Sequence, residues 1–277
     1  MVSVFMVAAT VTIVPAMAAL WYFLRRYEGY FQDARVFFSL VVGFFAGLAV
    51  AFLENVLFRF QDQTFIEATG LAFALMYFIF GYAMLESAAK LVVLGSKNFR
   101  VRKDTPYYGA ALGLGFGAMV SLQIVALALQ GSELLTRGLS GSSLAAFLLL
   151  VLTATGTCLT HGAAGVWIGK GAADGKLWRG LLHGTLWQAP ALLTLWFLWV
   201  NLPTIAIVPA LASALFGAIA LLVAQTRILD RIVPPEIRDL VRKERRREQR
   251  SAARGERDGR GPDEPLVTSP LDPPPRP

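Results

Sequence analysis

The stretch YFIFGYAMLESAAKLVVLGSKNFRVRKDTPYYGAALGLGFGAMVS, Tyr77–Ser121, decides how the chain is read. It begins as an apolar run carrying Glu86 and Lys90, passes through a short basic loop, and resumes as a glycine-rich apolar run. A helix needs about 20 apolar residues to cross a bilayer, and these runs reach that length. A carboxylate and an ammonium inside such runs cost about 2.5–3.5 kcal/mol each. Groups that expensive face a protein interior, where they serve either as a functional site or as a self-neutralising Glu–Lys pair at i,i+4.

The rest of the chain is of the same kind. Its 277 residues are 55% hydrophobic with a mean hydropathy of +0.54, which excludes an ordinary soluble domain. Seven spans are expected, near 4–24, 36–58, 71–94, 107–129, 144–168, 181–200 and 204–226. The expected fold is an all-α, polytopic membrane helix bundle of about seven transmembrane helices. The connections at 25–35, 95–106 and 169–180 hold three, four and three Lys or Arg, and the tail after Gln225 holds thirteen. The alternate connections hold one each, Arg59 and Arg137. That sorting predicts an outside N-terminus and a cytoplasmic C-terminus in a multi-pass protein of the cell membrane. Residues 1–24 lack a basic leader and run directly into a full-length span, so no cleavable signal peptide is expected.

Charge and cysteine content narrow the function classes. The single cysteine, Cys158, excludes an intrachain disulfide and a thiolate metal cluster. The net charge of +7 is concentrated in the tail, so a membrane surface is the expected partner and nucleic acid is not. Residues 1–226 read as the transmembrane domain and 227–250 as a basic juxtamembrane helix that binds anionic lipid headgroups. Residues 251–277, rich in Pro and Arg, read as a disordered tail.

Within the spans, WYFLRRYEGYF (Trp21–Phe31) reads as an interfacial aromatic belt with arginine anchors. Glu54, beside Asn55 and near Arg59, reads as a snorkelling or Arg-paired carboxylate at the outer end of its span. Gly109, Gly113 and Gly117 form a strip without side chains that another helix can approach closely. Pro190 is expected to kink the sixth span.

Depth brings the remaining polar groups together. At ~1.5 Å rise per residue, Glu86, His161 and His183 lie roughly 3–14 Å inside the cytoplasmic boundary, with Lys90 in the same half. Glu54 falls in the other half. One carboxylate and two imidazoles are a three-ligand set for catalytic zinc, with a fourth position for water. Glu86, His161 and His183 are therefore the candidate metal ligands and, with Lys90 tuning the site, the candidate catalytic residues. Each histidine taken alone also reads as a packing residue.

In their order along the chain, these residues resemble a known family. The first span ends in Trp-Tyr-Phe and arginines, followed by Glu86–Lys90, YYGAALGLGFGAM, HGAAGVWIG and LLHG. The pattern, over about 15–199, is similar to the PrsW family of intramembrane proteases within the superfamily of CAAX prenyl endopeptidases. The resemblance implies a metal-dependent peptidase that cleaves membrane-anchored proteins such as anti-sigma factors. Several motif positions differ: Ser87 replaces a second Glu, Val120 and Ser121 replace a Glu and Asn, and Trp187 stands where Asn or Asp is usual. Gln188 follows Trp187 as the nearest substitute. The missing carboxylates imply reduced or lost activity. The alternative is a catalytically inactive member that acts as a membrane scaffold or chaperone for transmembrane partners.

Overall fold

Every apolar run of the sequence winds into helix, because a backbone in hydrocarbon has to satisfy its own N–H and C=O groups. The computed structural model describes residues 4–27, 30–57, 70–130, 141–200 and 207–233. The long helices are α1 (Val4–Leu24), α2 (Asp33–Leu57), α3 (Leu71–Leu94), α4 (Thr105–Gln130), α5 (Gly141–Ala173), α6 (Leu177–Val200) and α7 (Ile207–Ala224). No strand occurs among the described residues. Each of the seven segments read from the sequence falls on one of these helices. Six of them are long and apolar enough to cross a membrane; α6, which carries Arg179, His183 and Gln188, is not among the six.

The surface matches a bilayer environment. Phe45 and Phe52 are each 71% exposed and Val92 is 77% exposed, which water would penalise and lipid does not. Hydroxyls within the helices are satisfied locally: Thr12, Thr153, Thr155, Thr157 and Thr160 each donate to the carbonyl four residues earlier.

Helix α4 is the axis of the bundle. Of its span, 83% is buried, against 33% to 56% for the other five. The glycine strip explains this, because it lets α5 touch the α4 backbone directly. A Cβ at Gly109 would overlap Gly165, one at Gly113 would overlap the carbonyl of His161, and one at Gly117 would strike Cys158 Cα at 2.8 Å. On the opposite side, Gly43 and Gly47 of α2 meet Leu112 and Phe116 in the same way. In lipid, where apolar burial gives no net gain, such close backbone packing holds helices together. The glycine face is thus consumed inside the bundle.

Four connections gather at one end. Val101 N–H donates to Ala172 O at 3.1 Å, joining the α3–α4 loop to the end of α5. Tyr27 donates to Asp230 at 2.5 Å and Tyr30 to Ile232 O at 2.8 Å, joining the α1–α2 turn to the segment after α7. Tyr107, fully buried among Tyr27, Tyr30 and Phe31, donates to Leu229 O. Beyond α7 the chain makes a π-turn (Gln225–Leu229) and a short α8 (Asp230–Ile232). This compact unit ends at Ile232, and a second begins at Val233. The expected basic helix past residue 233, the expected disordered tail, Arg59 and Arg137 lie outside the described residues.

Candidate functional site

Helix α3 turns Glu86, Ser87 and Lys90 onto one inward face, and all three are fully buried. They face Gln188 of α6, which is 1% exposed. Ser87 Oγ donates to Gln188 Oε1 at 2.6 Å and Lys90 Nζ donates to the same oxygen at 3.2 Å. Gln188 Nε2 in turn donates to Glu86 Oε2 in a short hydrogen bond. Glu86 and Lys90 are therefore joined through a carboxamide rather than through a direct ion pair. The amide has one orientation consistent with these partners: nitrogen to the carboxylate, oxygen to the hydroxyl and ammonium.

Helices α4 and α5 complete the chamber. Lys90 Nζ lies 4.0 Å from the centre of the Phe116 ring, a cation–π contact in an apolar setting. The other neighbour of that ring is His161, stacked at 5.3 Å with 22° between planes. His161 Nε2 stands 3.8 Å from Glu86 Oε1. That separation exceeds a hydrogen bond, and Glu86 Oε1 and His161 Nδ1 have no hydrogen-bond partner among the described residues. The imidazole is delivered there by the glycine strip, since the His161 backbone rests on Gly113 and its Cβ on Gly117.

His183 is elsewhere. It is exposed, stacked on Trp167 at 5.0 Å and 7°, with Nδ1 2.7 Å from Arg179 O. The cause is helix geometry: at about 100° per residue, His183 and Gln188 lie roughly 140° apart around α6. Gly184, one turn before Gln188, is on the inward face, where an added Cβ would meet Ser87 Oγ at 3.2 Å. The expected set of Glu86, His161 and His183 is thus not assembled. Two of the three are adjacent, and Gln188 occupies the place toward α6. Among the described residues no three His, Cys, Asp or Glu side chains are grouped to hold a metal ion. The residues present do not fit the expected three-ligand zinc centre.

Glu54 also departs from its expected place. It is 7% exposed and its Oε1 has no hydrogen-bond partner among the described residues. Depth counted along the chain put it in the opposite half of the membrane, but depth counting ignores helix tilt. Val50, one turn before Glu54, clusters with Phe116 and Val120, and Leu85 and Ala89 of α3 pack against that cluster, so α2 reaches the same level as the Glu86 face of α3. The neighbouring Asn55 side chain and Arg59 lie outside the described residues.

Sequence reasoning named Glu86, Lys90 and His161, and the structure brings them together. It assigned no role to Ser87 and gave Gln188 only a substitute's place. The signal was available in Gly184 and Gln188, a small and a polar residue at i,i+4 on one face of α6. What the cluster offers chemically is a carboxylate oxygen and an imidazole facing each other across a gap, beside a buried cation. Comparison with known proteins finds no matching family model, no matching curated protein and no matching solved structure.

Proposed function

We propose that this chain is a PrsW-like intramembrane peptidase that acts on membrane-anchored protein substrates. The observation that carries this reading is the 3.8 Å gap between Glu86 Oε1 and His161 Nε2 in the interior of an apolar bundle. A water seated beside this pair, within hydrogen-bond reach of both atoms, would lose a proton to Glu86 and be oriented by His161. Its oxygen forms the new bond to the peptide carbonyl carbon, the C–N bond breaks, and the leaving nitrogen takes up a proton. Lys90, held by Gln188, supplies positive charge to the oxyanion that develops in between. No step uses a metal ion.

We further propose seven spans with the N-terminus outside, in the cell membrane. Helices α5 and α7 both end at the basic end of the bundle, which supports a reading in which α6 crosses the full height between them. At ~1.5 Å per residue its 24 residues cover roughly 36 Å, enough for a bilayer. Arg25, Arg26, Lys97, Arg100, Arg102, Lys103, Lys176 and Arg179 share that end, which supports a cytoplasmic placement beside anionic headgroups.

A second reading is a non-enzymatic membrane scaffold, in which the cluster only locks α3 to α6. The hydrogen bonds that join Glu86, Ser87 and Lys90 through Gln188 favour it, since a structural latch needs no more than these. The two readings part at Glu86 Oε1, which a latch leaves unused. The test is cleavage of membrane-anchored reporter proteins by reconstituted wild type, Glu86→Gln and His161→Ala, with metal content measured on the same samples. Cleavage lost in both variants supports the peptidase. Absence of cleavage across a panel of single-span reporters, with partner capture intact in both variants, leaves the scaffold.

A further inference from the structure

Three groups in the bundle interior stand out once the Glu86–Gln188 pair is accounted for: Glu54, Lys90 and the unbonded Glu86 Oε1. We propose that Glu54 is the second carboxylate of this site and that Lys90 is the one cation it shares with Glu86. The role in hydrolysis rests on the peptidase reading above; the sharing does not.

The geometry limits what else could serve Glu54. Among the described residues, the elements packed most extensively against α2 are α4 and α3. The charged residues of α3 are Glu86 and Lys90, both fully buried on its inward face. Helix α4 has no charged residue anywhere along Thr105–Gln130. Along the described residues of α2, α3 and α4 the cations are Arg35 and Lys90; Arg35 lies at the opposite end of α2 from Glu54, so the fully buried Lys90 is the one within reach. Its hydrogen bond runs to a neutral amide and its face contact to a ring, so neither carboxylate monopolises it. Two carboxylates and one ammonium carry one negative charge too many for an apolar interior, and such sites balance it by holding a proton.

That proton completes the chemistry. Glu86 takes one proton from water as the C–O bond forms; Glu54 gives one to the leaving nitrogen as the C–N bond breaks. The two carboxylates then exchange a proton beside Lys90 and return to their starting states. No outside acid is consumed, and the proton count closes on each turnover.

The experiment uses the full chain reconstituted in lipid and needs no substrate. Dicyclohexylcarbodiimide, an apolar reagent, adds to protonated carboxyl groups in membranes, and peptide mass spectrometry locates it. At about pH 7 the wild type is expected to label at Glu54, and Glu54→Gln is expected to lose that label while Glu54→Asp keeps it. Removing the shared cation in Lys90→Met should raise labelling at Glu54 about threefold or more, while Lys90→Arg stays within about twofold of wild type. Lys90→Gln serves in place of Lys90→Met if that variant does not fold. Absent labelling at Glu54 in every variant, or labelling unchanged by loss of the cation, overturns the proposal. Labelling as expected without reporter cleavage would remove the peptidase reading and leave the shared cation standing.

Discussion

The backbone of Gly113 lies directly against the carbonyl of His161, so closely that any Cβ at 113 would overlap that oxygen. The imidazole of the site is thus placed by a missing side chain on the next helix. Gly113→Ala is expected to destabilise the bundle by about 2–3 kcal/mol, since the obstacle is backbone and cannot yield. Gly184→Ala should cost less, because the atoms it meets first belong to the Ile168 side chain rather than to backbone. Thermal melting of both variants in detergent checks the order. Equal losses would mean that the α4–α5 contact is not the constraint.

Gln188 satisfies three buried groups with one carboxamide. Gln188→Leu has nearly the same volume and strands Glu86 Oε2, Ser87 and Lys90 together. At about 1–3 kcal/mol for each unsatisfied buried group, a loss of about 3 kcal/mol or more is expected. Gln188→Asn keeps the chemistry but is one methylene short, so it should recover only part of that loss. A Gln188→Leu protein that melts like wild type would show the network to be dispensable for folding.

His183 and His161 are expected to separate in any functional assay. His183 is exposed and stacked on Trp167, so His183→Ala should leave reporter cleavage within about twofold of wild type. His161→Ala removes the group facing Glu86 and should lower cleavage about 100-fold or more, the usual scale for a positioned acid–base partner. Comparable losses in both variants would restore a role for His183.

The helices were legible because a bilayer leaves the backbone few choices: about 20 apolar residues between basic loops can only be read as helix. Partner identity was less legible. Rotation about α6 decides whether His183 or Gln188 faces inward, and the sequence offers both within five residues. The imidazole has the richer chemistry, yet Gly184 marks the inward side. Glu54 was misplaced for a different reason. Counting residues measures distance along a helix, whereas Gly43 and Gly47 press α2 onto α4 and set its height relative to α3. The glycine strip is legible in the sequence as a packing surface, whereas its partner, α5, is visible only in the fold.

Outside the spans, Asp104 gives a pH dependence with a definite sign. Burial alone would raise its carboxyl, but hydrogen bonds from Arg102 and Tyr108 and the Arg102 charge together hold it below the usual aspartate range. A folded value below the unfolded one stabilises the fold above the unfolded value, about 3.9, and that gain disappears as pH falls through the folded value. Arg102 is 37% exposed, so solvent screening limits the gain to about 1 kcal/mol or less. Asp104→Asn should therefore melt lower than wild type near neutrality and equally at strongly acid pH. A difference independent of pH would assign the effect to the Tyr108 contact instead.

Val101 is held at φ 63, the left-handed region, and it is the sole non-glycine residue there among those described. A β-branched side chain in that conformation costs about 1–2 kcal/mol, yet the loop keeps it because Val101 N–H donates to Ala172 O. The side chain itself is 69% exposed and buries little. Val101→Gly removes the steric cost and adds about 0.5–1 kcal/mol of chain entropy, for an expected net gain of about 0.5–1 kcal/mol. Val101→Pro should do the opposite, because proline fixes φ near −65° and has no N–H for Ala172. Melting curves of the two variants should move in opposite directions from wild type. If glycine destabilises as proline does, the valine side chain contributes a contact that its exposure does not reveal.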